Sequence, residues 1–133
     1  VHFLRAVTAA MGLTNTVCIH ARAEEAARQK EHRAHYDIAV SRAVARLPVL
    51  LEYTLPFVRI GGTLLALKGR AYAEEKEEAA HAAKLLGGGS IHARRVFLPG
   101  LADVRAILSV RKQGKTPPAY PRRAGMPERA PLQ

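Results

Sequence analysis

The chain has 133 residues, 48% of them hydrophobic, which is enough to bury one core and leaves room for one domain at most. A net charge of +10 points to a polyanion, nucleic acid first, while the single cysteine excludes an internal disulfide framework and fits a reducing cytoplasm. No apolar run reaches the roughly 18 residues of a membrane span, and Arg5 breaks the apolar start, so neither a membrane partner nor a signal peptide is expected.

Residues 1–11 read as a helix with Phe3, Leu4, Val7 and Met11 on one face and Gly12 placed to end it. Val1 has no capping residue before it and there is no initiator methionine, so the chain reads as the later part of a longer one. Residues 16–21 are a candidate buried strand, in which Cys18 is a small hydrophobe. Arg22, Ala23 and Glu24 open a short helix, and a polar connector runs on through His35.

Residues 36–70 then read strand, helix, strand, and this unit organises the rest. The two strands, residues 36–42 and 62–69, are apolar without strict alternation, as parallel strands covered on both faces would be. Between them Leu47, Leu51, Leu55 and Val58 recur at helical spacing. Pro48 suits a first helical turn, Pro56 ends the helix, and Gly61-Gly62 makes a tight turn into the second strand. A βαβ crossover puts functional groups at the carboxyl ends of its strands, where Arg42 and Lys68 stand.

A second helix covers residues 72–86, with Glu74 and Glu75 at its start and Lys84 at its end to suit the helix dipole. Residues 90–98 and 102–112 follow as strands joined by Pro99-Gly100, a connection tight enough to make them antiparallel neighbours. Five of the eight prolines lie beyond that point and rule out regular structure there. Residues 113–133 thus read as an extended basic arm, draped on the domain of residues 1–112 or free. From Arg111 onward six basic residues stand against Glu128 alone. The order predicts an α/β fold whose mostly parallel sheet ends in an antiparallel hairpin, the pattern of many methyl-transferring domains.

Several local patterns together resemble one family. They are Arg22-Ala23-Glu24, Tyr36-Asp37 through Ser41-Arg42-Ala43, Leu50-Leu51-Glu52-Tyr53 with Leu55-Pro56, and Gly61-Gly62 through Leu67-Lys68-Gly69. The arm adds Lys112-Gln113-Gly114-Lys115-Thr116-Pro117, Tyr120-Pro121-Arg122-Arg123-Ala124-Gly125, Pro127 and Pro131-Leu132, the most specific stretch. The chain resembles the glucose-inhibited division protein B family, methyltransferases of guanine N7 in bacterial 16S ribosomal RNA. The resemblance implies a Rossmann-like class I methyltransferase sheet lacking its first strands. The family's glycine-rich cofactor loop has no counterpart here, since Gly87-Gly88-Gly89-Ser90 follows a helix and precedes a strand, the reverse of the required order.

The resemblance also implies S-adenosylmethionine as cofactor, with Ala23 and Glu24 bordering its adenine. Arg42 would engage its carboxylate or an RNA phosphate. Taken alone, Glu24 reads first as a solvated carboxylate early in a helix, and Arg42 fits a surface ion pair equally well. The implied partner is 16S rRNA or the small-subunit particle, met by Arg22, Lys68, Lys112, Lys115, Tyr120, Arg122 and Arg123. Tyr120 serves either to stack a splayed base or to pin the arm. No metal spacing is found among the six histidines. N7 has a lone pair and no proton to lose, so no general base is expected, and the nucleophile is aligned rather than activated. The alternatives are an RNA-binding module without enzymatic activity, favoured by the absent glycine loop, and a methyltransferase of small molecules. With no strands beside them, Val17, Ile19, Ile38 and Val40 are expected to lie partly uncovered.

Overall fold

In the computed structural model, which describes residues 1–133, helix α1 (His2–Ala10) leads into an extended stretch without a ladder partner. Residues 16–21 are therefore not the buried strand that their composition predicts. Val17 is 81% exposed and Ile19 52%. An apolar run becomes a strand only beside a neighbour that takes up its N–H and C=O groups, and none lies there.

The crossover forms as expected. A single turn, α2 (Ala23–Ala26), precedes β1 (Tyr36–Arg42), α3 (Leu47–Thr54), a 3-10 turn over Leu55–Phe57 and β2 (Val58–Lys68). Pro48 sits in the first turn of α3 and Pro56 in the 3-10 turn that ends it, positions where a missing N–H costs little. Gly61 and Gly62 do not form a turn before β2; they lie inside it. Tyr36 pairs with Val58 but Ile38 with Thr63, and the surplus residues form a bulge. A Cβ on Gly62 would stand 2.5 Å from the Asp37 carbonyl oxygen, so only glycine lets the two backbones approach.

Helix α4 (Tyr72–Leu85), β3 (Gly88–Val96), β4 (Arg105–Lys112) and a last turn, α5 (Met126–Arg129), complete the chain. The sheet order is β1-β2-β4-β3, parallel between β1 and β2 and antiparallel at both edges of β4. The predicted hairpin thus folds back so that its second strand fills the slot beside β2. Leu47, Leu50, Leu51 and Leu55 meet Ala79, Ala82 and Ala83 of α4 over Leu64, Ala66, Leu108 and Val110 in one core. Both helices cover the same face. On the other, Ile38 is 59% exposed and Val40 65%, so the expected two-sided burial is not met while the expected bare positions are.

The arm is draped, and it contains one helical turn that its prolines do not forbid. Pro127 enters at the start of α5, where proline is tolerated. Gln113 and Gly114 donate their N–H groups to the Gly87 carbonyl at 2.8 and 3.0 Å. Gly87 has φ +92°, and a Cβ there would fall 2.3 Å from the Gly114 carbonyl oxygen. Thr116 Oγ1 donates to the Leu86 carbonyl at 2.6 Å, and Tyr120 and Leu132 pack on the core. The main fastening is Glu52, wholly buried in α3. Its carboxylate accepts the Arg122 backbone N–H at 2.7 Å, Nε at 3.1 Å and Nη2 at 2.8 Å. Lys112, only 2% exposed, donates from Nζ to the carbonyls of Leu55 at 2.6 Å and Val58 at 3.0 Å.

Arg122→Ala strands the Glu52 carboxylate in an apolar layer and should destabilise the fold by about 3–5 kcal/mol in urea melts. The pair Glu52→Met with Arg122→Leu should recover most of that loss; equal losses in both variants would refute the assignment. Lys112 supplies a second prediction. Burial, then the charge of Arg33, pushes its ammonium down to about 8. The unfolded value is ~10.4, so unfolding takes up a proton between the two, and this group adds stability as pH rises through that window. The neutral amine still has two N–H donors for its two carbonyls. Lys112→Met should abolish this share of the rise, measured as the stability difference from wild type between about pH 7 and 10.5.

Candidate functional site at the strand ends

β1 ends at Arg42, and the chain leaves it through Ala43 at φ +55°. That left-handed conformation costs a residue with a Cβ ~1 kcal/mol or more, and it persists because the turn is held from several sides. Helix α3 has no side-chain cap of its own from Arg46. The cap comes from α4 instead. Glu75 Oε1 accepts the Leu47 N–H at 2.8 Å and pairs with Lys68 Nζ at 3.0 Å, while Lys68 also donates to the Ala45 carbonyl. Both side chains are only 9% exposed. Arg46 forks onto Glu78 at 2.9 Å, which holds its guanidinium above its ordinary value.

This network corrects one expectation. Lys68 borders the cleft but turns its amine inward to fasten the turn after β1, so it is not the free surface cation that its strand-end position suggests. Arg42 is left exposed, with no side-chain hydrogen bond and no ion pair. It lines an open cleft of about 730 Å³ with Ala43, Leu67, Leu98 and Arg105. No carboxylate lines this cleft. Arg105 meets Asp103 at 3.8 Å, but both are exposed and such a pair is worth little. Beyond the cleft, the Arg95 guanidinium lies 5.2 Å from the Phe97 ring centroid, and Phe97 is 79% exposed. Sequence reasoning passed over Arg94, Arg95 and Phe97, although two adjacent arginines before an aromatic near a hairpin tip are a usable signal.

The remaining site candidates fall elsewhere. Glu24 is 4% exposed, and its Oε1 accepts the Gly125 N–H at 3.1 Å, with Arg22 Nη2 at 3.9 Å. Its Oε2 accepts no hydrogen bond and is not sealed from solvent. Ala23, half-buried, starts α2 beside it. Neither residue lines the Arg42 cleft. Of the arm's candidates, Lys112 and Arg122 are spent on internal partners and cannot reach a phosphate in this fold, since one is sealed by two carbonyls and the other neutralises Glu52. Tyr120, half-buried, packs on the core. Arg22, Lys115 and Arg123 remain exposed.

Comparison with known proteins places this arrangement. Residues 1–96 match the family described as GidB, rRNA small subunit methyltransferase G. The ribosomal RNA small subunit methyltransferase G of Moorella thermoacetica is 44% identical over 133 residues, 100% of this chain and 55% of the relative. Its counterpart in Deinococcus deserti is 46% identical over 132 residues, 99% of this chain and 54% of the relative. The chain therefore spans about half the length of the curated relatives it matches. Among solved structures, M. jannaschii TYW2 in complex with AdoMet superposes with a TM-score of 0.58 at 16% identity, over 82% of this chain and 51% of that one. The T. thermophilus 16S rRNA N2 G1207 methyltransferase (RsmC), in complex with AdoMet and guanosine, gives 0.52 at 20% identity, over 86% and 28%. These two likenesses speak to the fold. The sequence match settles the family: this chain belongs to the rRNA small subunit methyltransferase G family.

Proposed function

We propose that this chain forms the strand-end part of an S-adenosylmethionine-dependent methyltransferase acting on guanine N7 of bacterial 16S rRNA, free or in the small-subunit particle, in the cytoplasm. One observation carries the reading: a partnerless arginine on a strained, multiply fastened turn, opening into a cleft without carboxylates. The relatives' name and the two AdoMet-bound fold neighbours support it. The chain has no helix long and apolar enough to cross a membrane.

The residues present fit the cofactor at one end. The Arg42 fork suits a carboxylate through two parallel N–H donors, and Leu67 and Ile107 give the cleft apolar walls. At the other end the fit fails in this structure, because Glu24 holds Gly125 and lies outside the cleft. Where it binds, S-adenosylmethionine brings a methyl group on a cationic sulfur. The chain's own work is placement. Guanine N7 offers a lone pair without a proton, so catalysis needs alignment and complementary charge rather than a base. Arg42 and Arg105 hold anionic groups at the cleft, and Arg94, Arg95 and Phe97 offer phosphate contacts and a stacking face. The base must be read away from N7, since an arginine fork on O6 and N7 would cover the reacting atom.

The RNA-binding module without enzymatic activity keeps one observation in its favour, the Glu24–Gly125 contact. Calorimetry separates the two. Micromolar S-adenosylmethionine binding that Arg42→Ala weakens about tenfold or more and Arg42→Lys weakens less supports the enzyme; no binding by the complete gene product supports the module. In the same product, Arg42→Ala should slow methyl transfer to unmarked 16S rRNA by ~10²-fold. Transfer at the wild-type rate would remove Arg42 from the mechanism.

A further inference from the structure

At the end of the sheet away from Arg42, five cations meet without a counter-ion. Arg28, Lys30, Arg33 and Lys115 line a depression of about 620 Å³ beside Pro56, with Lys112 in its floor adding charge from a buried amine that has no contact of its own to offer. Its lining has no acidic side chain, and none of the five forms an ion pair within the fold. Val58 opens β2 at this depression and Lys68 closes it at the other cleft. At ~3.3 Å per residue the two sites stand roughly 30 Å apart.

Three of the five, Arg28, Arg33 and Lys112, are fixed by backbone carbonyls rather than by counter-charge, and Lys30 and Lys115 stand exposed beside them. Arg28 donates to the carbonyls of Pro118 at 3.4 Å, Ala119 at 3.2 Å and Pro121. Arg33 donates to those of Thr116 and Pro117, both at 3.2 Å. Carbonyls orient a guanidinium but leave its charge uncancelled. Two of the groups respond to burial first and to that excess second. Burial and Arg28 hold Arg33 below its ordinary value, and burial and Arg33 do the same to Lys112. Repelling charges locked in place by dipoles form a preorganised receptor for an anion.

We infer that this depression is a phosphate-binding site, gripping the arm through Lys115 and the connector before β1 through Lys30 and Arg33. The shared chemistry is a phosphate oxyanion, and its surroundings favour an RNA backbone as the source. His32, Tyr36 and Phe57 flank Arg33, Ala34, Pro56 and Val58 in the chain. Tyr36 stands 6.0 Å from the His32 ring, 5.2 Å from His35 and 6.2 Å from Phe57. This aromatic cluster adjoins Arg33, Pro56 and Val58 along the chain and can take unpaired bases. The choice of RNA rests on the proposed function; the phosphate site does not.

The test uses the chain with Lys30→Gln and Lys115→Gln together, two exposed residues with no internal hydrogen bond, so the fold survives. In the first arm, thermal melts compare inorganic phosphate and pyrophosphate with chloride at matched ionic strength. Phosphate should raise the wild-type midpoint by several degrees and the variant's by less than half as much. In the second arm, a labelled single-stranded 16S rRNA fragment is titrated against salt. Its affinity should fall about tenfold in the variant, and its salt slope by ~1.4 for two lost phosphate contacts. Phosphate stabilisation with unchanged RNA binding keeps the site and assigns it to a free phosphate group. No phosphate effect beyond matched chloride overturns the site, whatever RNA does. Absence of RNA binding in wild type removes the RNA reading alone, and the first arm still decides the site.

Discussion

A carboxylate sealed among leucines decides how this chain closes. Glu52 lies on α3 between Leu51 and Tyr53, wholly excluded from water, and an uncompensated charge there costs several kcal/mol. Its countercharge comes from Arg122, seventy positions away in the chain. The arm is thereby part of the domain rather than an appendage to it. The same arginine donates to the Ala130 carbonyl at 2.7 Å, fixing the last turn, and the same stretch brings Tyr120 onto the core and Gly125 onto Glu24. A proline-rich tail has little helix or strand to offer, so its order has to come from side chains that reach into it.

That arrangement also sorts the charges. The deeply placed acids are used inside the fold: Glu52 on Arg122, Glu75 on Lys68 and the start of α3, Glu24 on the arm. What remains of the net +10 is not spread evenly. Part of it gathers at the two ends of β2, one around Arg42 and Arg105, the other around Arg28, Lys30 and Arg33. A molecule with cationic sites some 30 Å apart and apolar surface between them suits an extended polyanion better than a small ligand.

Periodicity made α3, α4 and the crossover readable, because Leu47, Leu51 and Leu55 carry their burial in their spacing. Pairing was not readable in the same way. Residues 16–21 and 90–96 both read as strand candidates, yet only the second finds a strand beside it. Charge was the least transparent signal. Lys68, Lys112 and Arg122 read as surface cations because a sequence shows that a charge exists and not what faces it. A glutamate inside a leucine run was the visible warning that one arm arginine belonged indoors. The strain at Ala43 and the cap from Glu75 had no local signature, since each depends on an element further along the chain.

Side-chain alternation ties the bare face of the sheet to the site. Ile38, Val40 and Arg42 project from the same side of β1, opposite the side on which Ser41 is buried. Their partners in register, Thr63, Leu65 and Leu67, lie on that same face, and Leu67 lines the Arg42 cleft. An apolar sheet face is stable in water only when something covers it. Any polypeptide that covers Ile38 and Val40 must also meet Arg42, because one residue pair, about 7 Å, separates Val40 from Arg42 along the strand. Covering that face and bordering the cleft are thus tied to one another, and Arg42 is the residue that belongs to both.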